Sequence, residues 1–187
     1  MNGRSWVLPL AALTVLGAAP PATSPDSAKA KALVARLQST LQGELMGAMR
    51  EGGPVKAIEV CRDRAPKLAS EISRESGWTV ARTALKVRNP KNVPDPWEKA
   101  VLTEFASRAL AGEDFATLEK SEVVEVEGTK VFRFMKAIRT GEPCLTCHGA
   151  ATKPELAAKV KALYPEDQAT GFSAGDLRGA FTLTKKL

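Results

Sequence analysis

The chain has 187 residues, 44% of them apolar and 26% charged, with a net charge of +6. That is enough for one compact domain and too little for two large ones, and the charge fraction is too ordinary for a disordered tail protein. One histidine and three cysteines exclude any site that needs two imidazoles, including HExxH hydrolases and most catalytic zinc sites.

The N-terminus joins a short basic start at Arg4 to an apolar run over 6–19, then to small residues and prolines. This pattern predicts a secretory signal peptide over 1–23, cleaved between Ala18 and Thr23. The run falls short of the ~20 residues that span a bilayer, so an uncleaved anchor is the weaker reading. The mature protein is expected in the periplasm, meeting a membrane only during export, with residues 24–187 as a single domain. Its positive charge is spread along the chain, which argues against nucleic-acid binding.

In chain order, the spacing predicts a helix over 27–51, with Leu33, Leu37, Leu41, Leu45 and Met49 recurring every four residues. Gly52, Gly53 and Pro54 stop it and open a second helix over 54–75. Val55, Ile58, Cys61, Ala65, Leu68 and Ile72 form the apolar stripe of that helix. A Thr/Val-rich strand is expected over 78–87. Three prolines between 88 and 97 predict an extended loop, in which Asn89 and Asn92 are expected to fix the backbone. A third helix over 96–111 places Trp97, Val101, Phe105 and Leu110 on one side, with Trp97 in the core. Strands over 122–127 and 129–138 read as a hairpin turning at Glu127 and Gly128. A short helix over 154–163 and a last strand over 178–185 complete an α+β domain on a mostly antiparallel sheet.

The rarest residues are concentrated in five positions, Cys144-Leu145-Thr146-Cys147-His148. Cys-x-x-Cys-His is the attachment signature of c-type haem. Two thiols at this spacing reach the two vinyl groups on one porphyrin edge, and the next residue, His148, is held below the iron as proximal ligand. The alternatives are weaker. A thioredoxin-like dithiol needs a βαβ setting, which does not precede the motif. A zinc site would need Cys61 as its fourth ligand, and export argues against it. A disulfide between Cys144 and Cys147 is the plainest alternative.

The sixth ligand stays open at this level. Candidates are Cys61, Met46, Met49, Met135, a lysine or water. The methionines are ordinary core residues by their spacing. Cys61 is an odd thiol in an oxidising compartment once two others are bound. Arg82, Lys86 and Arg88 are candidates to meet the haem propionates.

Ile58-Glu59-Val60-Cys61, the loop Arg88-Asn89-Pro90-Lys91-Asn92-Val93-Pro94, the Cys-x-x-Cys-His-Gly149 segment and Gly175-Asp176-Leu177-Arg178-Gly179 together carry a resemblance. The chain resembles the exported c-type haem domains with a PAS-like fold, a family that occurs as single domains and as sensor modules. The resemblance implies a PAS-like antiparallel sheet with two N-terminal helices and one covalent haem c against a face. It also implies His148 as proximal and Cys61 as distal ligand. A non-enzymatic redox or gas sensor, taking CO or NO and acting on a separate signalling or redox protein, is the first expectation. A monohaem electron-transfer cytochrome is the alternative. A peroxidase is the weakest reading, for want of a distal histidine.

Overall fold

The computed structural model describes residues 24–187; the signal peptide expected over 1–23 lies outside them. Ser24 caps α1 (Pro25–Glu59) by accepting from the Ser27 N–H. The expected break falls where the glycines stand: Gly52 (φ −147, ψ 18) and Gly53 (φ 66, ψ −165) leave helical geometry, and the helix resumes after Pro54. The continuation is not the regular helix that the spacing predicts. Residues Val60–Arg64 form a π turn, closed by the Ala65 N–H donating to the Val60 carbonyl five residues back. α2 (Ala65–Ser76) follows it. Ile58 and Ala65 stay buried on either side of the insertion, so the apolar stripe conceals it.

Four strands, β1 (Thr79–Thr83), β2 (Glu119–Val126), β3 (Thr129–Arg139) and β4 (Leu177–Lys186), form one sheet in the order β1-β4-β3-β2. Every neighbour pair is antiparallel. The β2–β3 turn is where the sequence places it, with positive φ at both Glu127 (50°) and Gly128 (76°), as a two-residue type I′ hairpin requires. β1 is shorter than expected. It pairs only with β4, and only as far as Thr83 opposite Ala180. Ala84 then leaves the sheet, its N–H donating to the Asn92 carbonyl of the proline loop.

Side chains alternate across the sheet, and the two faces pack separate helices. Val80, Leu183 and Phe134 form a row across β1, β4 and β3. They pack under Leu33, Leu37 and Leu41 of α1 and Leu68 and Ile72 of α2. Met135, Ala137 and Ala180 face the other way, onto Val101, Leu102 and Phe105 of α3 (Pro96–Leu110). Asp95 and Glu98 form a capping box at the start of α3. Leu110, expected on the buried side of α3, is 89% exposed. It lies five residues past Phe105, about 140° round the helix, so it cannot share that face. Trp97 is only partly buried against this cluster.

Among the described residues no helix is long and apolar enough to cross a membrane.

Candidate functional site

The motif begins directly beyond β3. Thr140 donates its N–H to the Asp176 carbonyl and accepts from the Gly175 N–H, both at 2.8 Å, which pins this segment to the start of β4. A 3₁₀ turn (Glu142–Cys144) runs into the single-turn helix α4 (Leu145–His148). Helical spacing of three residues sets Cys144 and Cys147 on one side of this turn, as attachment to one porphyrin edge demands. No disulfide joins any two of the three cysteines.

Gly149 ends α4 by turning the backbone outward. A Cβ there would stand 2.6 Å from the Leu145 carbonyl oxygen, so the reversal needs glycine. The chain then lies beside Phe172, whose N–H donates to the His148 carbonyl at 3.0 Å. The Phe172 ring stands edge-on to the His148 ring, centroids 6.2 Å apart.

The His148 ring is held from behind. Its Nδ1 lies 2.7 Å from the Ala169 carbonyl. A carbonyl only accepts, so Nδ1 carries the proton and Nε2 keeps its lone pair, the tautomer a proximal ligand needs. Burial, with Arg178 and Arg88 near it, pushes His148 down to about 3, so the ring is neutral.

Ala169 is itself fixed. Its N–H donates to Asp167 Oδ1 at 2.9 Å. Arg88 grips the same carboxylate, Nε to Oδ1 at 3.1 Å and a terminal nitrogen to Oδ2 at 3.0 Å. That nitrogen also donates to the carbonyls of Cys147 (2.7 Å) and Ala169 (3.3 Å). Both side chains of the pair are 7% exposed. Arg88 therefore locks the motif to residues 167–169 and spends its guanidinium doing so. Lys86 donates its ammonium to the Thr170 carbonyl and lies 4.7 Å above the Phe172 ring.

Cys61, on the π turn, lies in the same region, near Arg82, Arg88, Arg178 and Cys147. Burial raises its thiol above the ordinary value, while Arg82, Arg88 and Arg178 pull the other way. Burial raises the Cys147 thiol as well, with Cys61 beside it adding to the rise. Tyr164, with burial as the main cause, is pushed up to about 12. Tyr164 packs with Ile58, Leu156 and Val160, and Cys147 leans on this cluster. A cleft of about 190 Å³ opens beside it, lined by Arg88, Cys147, Thr152, Val160 and Asp167 among others. The Thr152 hydroxyl is buried there without a partner.

Among the described residues no three His, Cys, Asp or Glu side chains converge to hold a metal ion. The four residues of the zinc alternative are neighbours, not a tetrahedron. Met135 is fully buried among the residues that pack α3, on the sheet face turned away from Cys61's helix, which removes it from the ligand candidates. Met46 sits exposed on α1.

The site also contains two guanidiniums with no carboxylate in salt-bridge contact among the described residues, although the Asp167 charge acts on Arg178. Arg82 lies on β1 opposite Phe181, and no carboxylate acts on it; burial lowers its guanidinium. Arg178 donates only to the Lys86 carbonyl, at 3.3 Å. Burial, with Arg88 and Arg82 close by, pushes it down to about 10. Two half-buried guanidiniums without an ion-pair partner, beside a Cys-x-x-Cys-His turn, fit a prosthetic group that brings its own anions.

The structure thus brings Cys61, Arg82, Arg88, Cys144, Cys147 and His148 to one end of the sheet. Sequence reasoning did not assign Arg178, Asp167, Ala169, Tyr164 or Phe172. Arg178 had a signal, since it stands in the Gly175-Asp176-Leu177-Arg178-Gly179 stretch that carries the resemblance. Ala169 acts through its backbone and has none.

A four-stranded antiparallel sheet with a long N-terminal helix and a Cys-x-x-Cys-His turn at one end defines a class, an α+β domain with its rarest residues gathered at one end of the sheet. The chain belongs to the Tll0287-like family, which it matches over residues 21–185. The crystal structure of the cyanobacterial haem-protein Tll0287 shares the fold, with a TM-score of 0.67 at 24% identity, covering 87% of this chain and 96% of that one. Among curated proteins none matches.

Proposed function

We propose that this chain is a periplasmic haem-binding protein that holds one haem c, with His148 and Cys61 as axial ligands, and that it serves redox or gas sensing. The observation that carries the reading is the His148–Ala169 bond, because it presents Nε2 as a ligand on a motif whose two thiols share one side. Family membership and the haem named for the Tll0287 structure support it.

When bound, haem supplies a one-electron iron centre with an axial position that can exchange. The chain supplies the rest. Cys144 and Cys147 fix the porphyrin edge, and the Arg88–Asp167 pair holds Cys147 and Ala169 in register with it. Cys61 approaches from a π turn, a helical irregularity frequent at functional sites. Its departure on reduction would open the distal side to CO or NO. The PAS-like sheet would carry the change to a separate protein. With His148 and Cys61 filling both axial positions, we read the role as binding rather than catalysis.

A pyridine haemochrome of the full chain, expressed with a cytochrome c maturation system, tests the covalent haem. Cys61→Ser is expected to move the Soret band and abolish the wild-type low-spin EPR signal. An unchanged spectrum sinks the Cys61 assignment. Reduced protein that stays six-coordinate and ignores CO and NO over hours favours electron transfer instead.

A further inference from the structure

We infer that Arg82 and Arg178 form a two-point clamp for the two haem propionates, and that Arg88 is a positioning residue outside it. The inference rests on the haem reading above and assigns what that reading leaves open, the groups that neutralise the acidic edge of the porphyrin.

Four cations surround the site, and their partners sort them. Arg88 is neutralised by Asp167 through two bonds and donates to two carbonyls. Lys86 has the Thr170 carbonyl and stays exposed. Arg82 and Arg178 have no carboxylate in salt-bridge contact among the described residues; a single carbonyl, that of Lys86, meets Arg178.

Location agrees with charge. Arg178 lies 5.3 Å from the Phe172 ring, which stacks edge-on to His148. That places Arg178 on the proximal side. Arg82 belongs to the sheet face that packs α1 and α2, since it alternates with Val80 of that core, and so looks toward the helix that carries Cys61. Arg82 pairs with Phe181, and Arg178 lies three residues earlier on β4, at the irregularity where Ile138 opposes Gly179 but Arg139 opposes Leu177. This extra residue breaks the alternation that would otherwise set the two arginines on opposite faces, and Arg82 acts on Arg178.

A half-buried guanidinium with no ion-pair partner is stabilised when an anion meets it, and arginine's planar fork matches a carboxylate with two parallel bonds. Haem brings two carboxylates, and the site holds two unspent arginines. Cys144 and Cys147 take the vinyl edge, so the propionates point away from the motif.

The test uses the haem-loaded full chain. Resonance Raman bands of the propionate bending modes are recorded for the parent, Arg82→Gln, Arg178→Gln and Arg178→Lys. Both glutamine variants are expected to shift these bands, with Arg178→Lys retaining part of the parent pattern. Parent-like bands in either glutamine variant, with haem fully attached, overturn the two-point clamp. Should a variant fail to mature, a second measurement decides. The Cys144→Ala/Cys147→Ala protein with both arginines intact is titrated with haemin and with haemin dimethyl ester. At least about tenfold tighter binding of the free acid is expected; equal affinity overturns the clamp. A parent protein that shows no pyridine haemochrome overturns the haem reading itself, an outcome distinct from either of these.

Discussion

Two groups of arginines, one on the α3 face of the sheet and one at the motif end, differ in how they are neutralised. On the α3 face, Arg133 donates to Asp95 at 2.6 Å, stands 3.5 Å from Glu98 and stacks its guanidinium 4.3 Å above the Trp97 ring. Its Nε is buried without a partner, yet the charge itself is met twice within the fold. At the motif end, Arg88 has its own carboxylate, whereas Arg82 and Arg178 have none in contact. A fold that neutralises its structural arginines internally and leaves two others bare marks where an outside anion belongs. The α3 face is a finished structural core. The opposite face ends in a site that awaits a partner.

The largest effect that would sharpen this contrast is expected from Asp167→Asn. It leaves Arg88 buried without a counter-charge, a loss of about 3–5 kcal/mol by analogy with broken buried pairs. Urea unfolding reads the stability, and a lower haemochrome yield reads the displaced motif. A stability loss with unchanged haem attachment would separate Arg88 from the site. Next comes Met135→Ala, expected to cost about 2–5 kcal/mol through the cavity it leaves, with the Soret band unmoved. A changed Soret band would break the division between the two faces.

Asp95→Ala is expected to cost about 1 kcal/mol through loss of the α3 cap. Burial pushes the Asp95 carboxyl up, but bonds from Arg133 and the Glu98 N–H outweigh it and hold it below its ordinary value. A carboxyl lowered on folding stabilises fully above its unfolded value, about 4, and the gain fades as pH falls through the folded one. Asp95→Asn keeps the cap and should lose only this pH-dependent part, less than about 1 kcal/mol for a half-exposed pair. Stability curves of the two variants between pH 2 and pH 7 check the split. Smallest is Leu110→Gln, expected within about 0.5 kcal/mol of the parent because the side chain is almost wholly exposed.

What the chain disclosed in advance was local chemistry. Gly52 and Gly53 marked the helix break, Glu127 and Gly128 the hairpin turn, and the five-residue motif the site, each through a requirement that only a few residue types meet. What stayed hidden was set by pairing across the chain. Arg178 joins the site because β4 lies between β1 and β3, and Asp167 because residues 167–170 fold back under α4. The π turn escaped because Ile58 and Ala65 are seven apart, a spacing that a regular helix also satisfies. Leu110 was misplaced by extending the stripe of α3 one step beyond its period.

The π turn also has a genetic consequence. A helix that carries one residue beyond the α repeat can be returned to regularity by deleting a single codon within 60–64. Such a deletion would close the five-residue turn to a four-residue one, keep both flanking helices in phase with most of their buried stripe, and remove the widened turn that presents Cys61. Cys61 would leave the site without any substitution. One in-frame deletion would therefore separate a chain whose Cys61 reaches the proposed site from one whose Cys61 does not, a distinction that comparing residue identities in aligned columns would miss and a gap in the alignment would reveal.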